Sequence, residues 1–185
     1  MAACAFNCLW IVTFVQGTDA TLWGSTALIS ALLFCLCKIY LGSQAWKRRH
    51  PGSFFQRCLQ TLAIDVHFAM YASWVSVATI VNISAALSSA GWSAGASTWC
   101  VVMLSVALLL NITIIVKHTD CVWGYVLSWA SFWIAHANPE NDTVRIGSLL
   151  VAGIIALVQT YVTIGVVFTA FDRRHDIDND ENIKI

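Results

Sequence analysis

Polar residues interrupt this chain at only a few places, and the apolar runs between them are long. Six such runs stand out, at residues 2–16, 21–41, 54–87, 98–116, 121–137 and 144–171. Most approach the roughly 20 residues that a helix needs to cross a hydrocarbon core. None alternates with the two-residue period of a barrel strand, and the chain holds two prolines, so helices are expected. The third and sixth runs exceed what a bilayer requires and should tilt or project beyond it. The second connection closes on Pro51-Gly52, after which Ser53 and Gln56 have the spacing of a capping box.

Composition supports the same conclusion. Hydrophobic residues make up 58% and charged residues 11%, with a mean hydropathy of +0.72. A soluble domain has about 45–50% apolar and about 25% charged residues, so a soluble fold is excluded. The expected fold class is all-α, a polytopic transmembrane helical bundle of about six spans over 1–171 with a polar cytoplasmic tail at 172–185. The formal net charge of +0 gives no basis for a nucleic-acid partner. Of the seven cysteines, most fall inside apolar runs, where thiols pack as small hydrophobes. An odd count with no CxxC pair speaks against a zinc site.

Charge orients the bundle. Of the ten basic residues, Lys38, Lys47, Arg48, Arg49, Arg57, Lys117, Arg173, Arg174 and Lys184 fall on one side, and Arg145 alone on the other. The positive-inside rule then places both ends of the chain in the cytoplasm. The first run lacks the basic n-region of a signal peptide. At about 15 residues it is short for a span, so it reads as the remainder of a helix begun upstream or as a short tilted helix. Asn141-Asp142-Thr143 is a glycosylation sequon in a loop assigned to the outer face and expected to be accessible. The acidic tail from Asp176 to Glu181 lacks the glycine and distal glutamate of a calcium loop, and a disordered end is expected.

The third helix carries most of the chemistry. Asp65 and His67 lie within it, two residues apart and so on nearly opposite faces. An ionisable side chain at that depth is a functional candidate by default. One reading pairs Asp65 with Lys38 or Lys117 as a structural ion pair, and another makes it a proton relay or ligand. It aligns with Ala69, Ala72, Ser73 and Ser76, a small-residue face suited to close packing. His67 instead aligns with Tyr71, Trp74, Ala78 and Asn82. A second aromatic stripe, Tyr125, Trp129, Trp133 and His136, runs along the fifth helix. Nine tryptophans are partly explained by an interfacial belt at Trp23, Trp46, Trp92 and Trp99. Trp74 and Trp129 lie deeper, where indole faces suit stacking on a flat apolar ligand or ordinary helix packing. Ligation of haem iron by two histidines is disfavoured, because His67 and His136 lie toward opposite sides and His118 sits in a polar turn. No nucleophile triad, phosphate loop or metal cluster is visible, and no catalytic residue is expected. The weak cholesterol-contact patterns also fail.

The segment Met70-Tyr71-Ala72-Ser73-Trp74-Val75-Ser76-Val77-Ala78-Thr79-Ile80-Val81-Asn82 resembles the last helix of the translocator / tryptophan-rich sensory protein (TspO/MBR) family. There the pattern reads Pro-Tyr-x-x-Trp-x-x-x-Ala-x-x-x-Asn. Tyr71, Trp74, Ala78 and Asn82 match in place, and Met70 stands where the proline would be. Upstream, Asn7 to Trp10 looks like the Leu-Asn-x-x-Trp element of that family's third helix. The resemblance covers 5–87, so 1–87 corresponds to the last three helices of the five-helix core. Residues 98–171 form three additional helices, similar to the extension of longer tryptophan-rich relatives. The family's first two helices have no match, which leaves a fragment, a short isoform or a divergent member.

The resemblance implies a bundle that binds tetrapyrroles or sterol-like molecules, with porphyrin or haem as a candidate ligand; the residues themselves point to no particular cofactor. On this reading Trp74 stacks, Tyr71 and Asn82 hydrogen-bond, His67 contacts a carboxylate, and Trp129 adds a second ring. The expected partners are the lipid bilayer, a hydrophobic small molecule and a second copy of the chain. The competing readings are a proton-coupled carrier using Asp65 and a non-catalytic membrane scaffold.

Overall fold

The computed structural model describes residues 2–49, 53–92 and 95–182. Every regular element among them is a helix: α1 (Ala2–Gln16), α2 (Asp19–Arg49), α3 (Phe54–Gln60), α4 (Val66–Ser89), α5 (Ala96–His118), α6 (Val122–Ala137) and α7 (Asp142–Asn182). A single π-helical stretch, Thr61–Asp65, joins α3 to α4 without a break, so the chain forms six rods. Four are long and apolar enough to cross a membrane. α1 and α6, at 15 and 16 residues, are shorter.

The helix ends follow local chemistry. α1 stops at Gly17, whose φ of 65° is left-handed and free of the Cβ clash that other residues meet there. Thr18 and Thr21 then cap α2 reciprocally. The Thr18 N–H donates to Thr21 Oγ1 at 3.0 Å and the Thr21 N–H to Thr18 Oγ1 at 3.4 Å. The expected box opens α3, with the Ser53 N–H donating to Gln56 Oε1 at 3.1 Å and the Gln56 N–H to Ser53 Oγ at 3.4 Å. Asp120 Oδ1 accepts the Val122 N–H to start α6, and Asn141 Oδ1 accepts the Val144 N–H to start α7.

Two boundaries differ from the sequence reading. α2 continues eight residues past Leu41 to Arg49. Hydropathy ends where lipid contact ends, whereas the helix continues into water with Lys47, Arg48 and Arg49 in its last turn, where cations suit the dipole. α7 likewise continues to Asn182, so helix replaces the disordered tail expected there. Pro51, Gly52 and Lys184 lie outside the described residues.

The bundle has two centres. One gathers Ile29, Leu32, Leu36 and Tyr40 of α2 with Ala69, Ala72 and Val75 of α4 and Trp123 of α6. The other gathers Val77 of α4, Leu104, Ala107 and Ile115 of α5, Leu127 of α6 and Ile155 of α7. The small face read from Asp65 is the α2-facing side of α4, where Ala69 and Ala72 are wholly buried. Polar side chains bridge the rods: Ser73 Oγ donates to the Trp123 carbonyl at 2.9 Å and Gln159 Nε2 to the Cys121 carbonyl at 2.8 Å. The outer surface is apolar, with Leu109, Leu157 and Phe168 among its exposed residues, as a protein surrounded by lipid requires. Cys4, Cys8, Cys35, Cys37, Cys100 and Cys121 are free thiols.

Candidate functional site

Between α4 and α6 the lipid-facing surface opens into a groove of about 790 Å³. α4 contributes Val66, His67, Met70, Tyr71 and Trp74, and α6 contributes Val122, Tyr125, Val126 and Trp129. The spacing explains the wall. On α4, positions 67, 71 and 74 stack along one face at intervals of four and three, and on α6 positions 122, 125, 126 and 129 do the same. The Trp74 and Trp129 rings pack against each other in the groove, tilted, with centroids 5.9 Å apart and planes at 57°. Both indoles stay about half exposed, at 43% and 55%, so their faces are open to an occupant. Tyr71, Tyr125 and His67 supply the polar atoms of an otherwise hydrocarbon wall.

Four of the five residues expected to bind ligand therefore meet here: His67, Tyr71, Trp74 and Trp129. Asn82 does not. It is 1% exposed and turned toward α1 and α2. Its Oδ1 accepts from Trp10 Nε1 at 2.8 Å, and its Nδ2 donates to Ser25 Oγ at 2.9 Å and Thr26 Oγ1 at 2.8 Å. Asn82 is only about 20° of rotation from Tyr71, eleven residues earlier, but about 16 Å further along the helix, beyond the end of the groove and where α1 and α2 reach it. The two sequence elements behind the family resemblance thus touch each other through Trp10 and Asn82. That contact is a brace between helices, not a ligand contact.

Asp65 lies at the end of the π-helical stretch and is 4% exposed. Its carboxylate pairs with Lys47 Nζ at 2.6 Å and accepts from Ser43 Oγ at 2.6 Å. The partner is Lys47 rather than Lys38 or Lys117. The extension of α2 puts Ser43 and Lys47, four residues apart, on one face toward Asp65. Lys38 instead projects outward over the Phe34 ring at 5.5 Å, and Lys117 is exposed at the end of α5. Nearby, Tyr40 Oη donates to Asp120 Oδ2 at 2.8 Å, tying α2 to the α5–α6 turn.

The remaining expected residues are dispersed. Asn141 is half-buried, and the nitrogen that would carry a glycan donates to Ser97 Oγ at 2.7 Å. His136 packs edge-on against Trp133 and His118 against Tyr40. Among the described residues no three His, Cys, Asp or Glu side chains are placed to share a metal ion. Sequence reasoning missed Val66, Met70, Val122 and Val126 as lining, although each lies one turn from, or beside, an aromatic residue that was singled out.

A helical bundle with an apolar exterior and spans of this length is an integral membrane protein. A family model described as TSPO-like protein matches residues 1–161, and the chain belongs to that family. The match runs through α5 and α6 into α7, so the helices beyond residue 98 belong to the family pattern as much as the first three do. No curated protein and no solved structure matches the chain.

Proposed function

We propose that this protein binds a flat hydrophobic ligand of the tetrapyrrole kind in the α4–α6 groove, acting as a translocator or sensor. The observation that carries the reading is the pair of half-exposed indoles, Trp74 and Trp129, that meet as a tilted aromatic platform in the wall of an apolar groove. A planar ring system laid against their exposed faces gains dispersion and stacking, and about 790 Å³ falls within the range of about 300–1,000 Å³ typical of small-molecule sites. Tyr71 and Tyr125 offer hydroxyls to the ligand edge, and His67 offers a nitrogen to a propionate-like carboxylate. His67 sits at the end of the groove nearest the basic connection, the side that the positive-inside rule makes cytoplasmic. Protoporphyrin added to the purified protein should quench its tryptophan fluorescence, and Trp74→Ala should weaken that quenching. Equal quenching of wild type and variant would remove this site.

A proton-coupled carrier is the second reading, favoured by one observation: a carboxylate almost wholly buried at a π-helical turn, a feature common at functional sites. Its prediction is separable. Asp65→Asn would abolish pH-dependent flux through reconstituted vesicles while leaving porphyrin binding intact. The Lys47 and Ser43 contacts favour a structural ion pair instead, for which the variant changes stability alone.

A further inference from the structure

Further along α4, toward its C-terminal end, a separate cavity of about 510 Å³ lies among α4, α5 and α6. Its inner part is hydrocarbon, walled by Val77, Leu104, Ala107 and Leu127, and its polar groups gather toward the α4–α5 turn, at Ser88, Thr98 and Trp99. From Trp99 to Ala107 the cavity follows α5 for eight residues, about 12 Å. Trp92 and Trp99 stand together at the turn, with ring centroids 5.6 Å apart and planes at 62°.

One atom in this cavity is out of balance. Trp99 Nε1 is buried and has no acceptor. Trp10 Nε1 has Asn82. Trp123 Nε1 also lacks an acceptor, but its ring is packed among core side chains and lines neither this cavity nor the groove. An N–H donor withheld from water and left unpaired is destabilising. At Trp99 there is room for a molecule to supply the missing acceptor.

The geometry points to a binding site for one acyl chain of a lipid, whose carbonyl oxygen accepts from Trp99 Nε1 while the tail lies along Val77, Leu104, Ala107 and Leu127. The gradient within the cavity, polar at the turn and apolar beyond it, matches an acyl chain with its carbonyl at one end. Tryptophan pairs mark the headgroup level of a bilayer, which is where acyl carbonyls lie. A free fatty acid and a phospholipid share this chemistry.

Native mass spectrometry of the full chain, stripped of lipid and released from detergent micelles, tests the site. Palmitic acid is the probe in one arm and palmitoyl-oleoyl phosphatidylcholine in the other, so the bound mass identifies the source. One adduct per chain is expected in at least one arm. Trp99→Phe, which keeps an aromatic ring and deletes the donor, should weaken it roughly 2–10-fold, the equivalent of one hydrogen bond. Ala107→Phe should fill the cavity and abolish the adduct, and Trp74→Ala, whose indole lines the groove and not this cavity, should leave it unchanged. No adduct in either arm, equal affinity for wild type and Trp99→Phe, or loss only in Trp74→Ala would each overturn the assignment. If Ala107→Phe fails to fold, Trp99→Phe decides alone.

Discussion

Asn82 uses both ends of its amide inside the bundle, and that fixes what its loss should do. Asn82→Leu strands the Trp10 indole N–H between α1, α2 and α4, while the Ser25 and Thr26 hydroxyls lose one donor but still donate to the Leu22 carbonyl. A buried group left without its partner costs about 1–3 kcal/mol, so the melting temperature in detergent should fall while porphyrin affinity of the folded protein stays at the wild-type value. A large loss of affinity with unchanged stability would return Asn82 to the ligand. The Asp65 pair gives a second contrast. Lys47→Met leaves a carboxylate buried without its cation, whereas Asp65→Asn keeps an oxygen for Ser43 Oγ. Thermal unfolding should show the lysine change to be the more damaging, by about 1 kcal/mol or more. Equal losses would mean that solvent, not the pairing, sets the energy of Asp65. At this scale the sequence picked out Asn82 and Asp65 as polar groups within spans but misjudged their partners. A polar side chain in a span must bond to something, but which neighbour answers depends on where the rods end and how they turn.

At the scale of elements, apolar runs located every helix, because lipid-facing and core-facing positions are both hydrophobic and leave no gap in the pattern. The ends of α2 and α7 were legible only as far as the lipid reaches. The π-helical stretch left no mark in the hydropathy pattern, since a single widened turn alters hydrogen bonding and not residue type. Neighbour relations were also hidden. Only the structure shows that α6, rather than α5, lies alongside the groove face of α4. The α6–α7 contact makes a test of the packing. A Cβ on Gly124 would lie 2.7 Å from the Gln159 side chain, which is itself buried and bonded to Cys121. Gly124→Ala should therefore cost about 1–3 kcal/mol by overpacking. Gly153→Ala on the same pair of helices meets nothing within 4 Å and should be close to neutral in the same melting assay. Equal behaviour of the two would contradict the close approach of α6 and α7.

At the scale of the whole molecule, the family assignment and the membrane setting agree with the apolar exterior, and orientation is the next property to establish. Glu140 is exposed in the α6–α7 connection, a better reporter than Asn141, whose side chain is engaged with Ser97. In a cysteine-free background, Glu140→Cys should react with an impermeant thiol reagent added outside sealed, right-side-out vesicles. Reaction only after permeabilisation would invert the bundle and move the His67 end of the groove to the outer face. Part of the candidate site could be read from one helix at a time, as two aromatic stripes at helical spacing. Their meeting across a groove could not, because it depends on the packing of α4 against α6.

The central claim is that these two stripes form one binding surface. Titrating protoporphyrin into the purified full chain, followed by the change in its visible absorption band, measures this directly. Wild type and Trp92→Ala, whose indole lies at the separate cavity, should bind alike, and Trp74→Ala/Trp129→Ala should bind about 5–150-fold more weakly, as loss of two stacking faces at about 0.5–1.5 kcal/mol each implies. Unchanged affinity in the double variant would contradict the account.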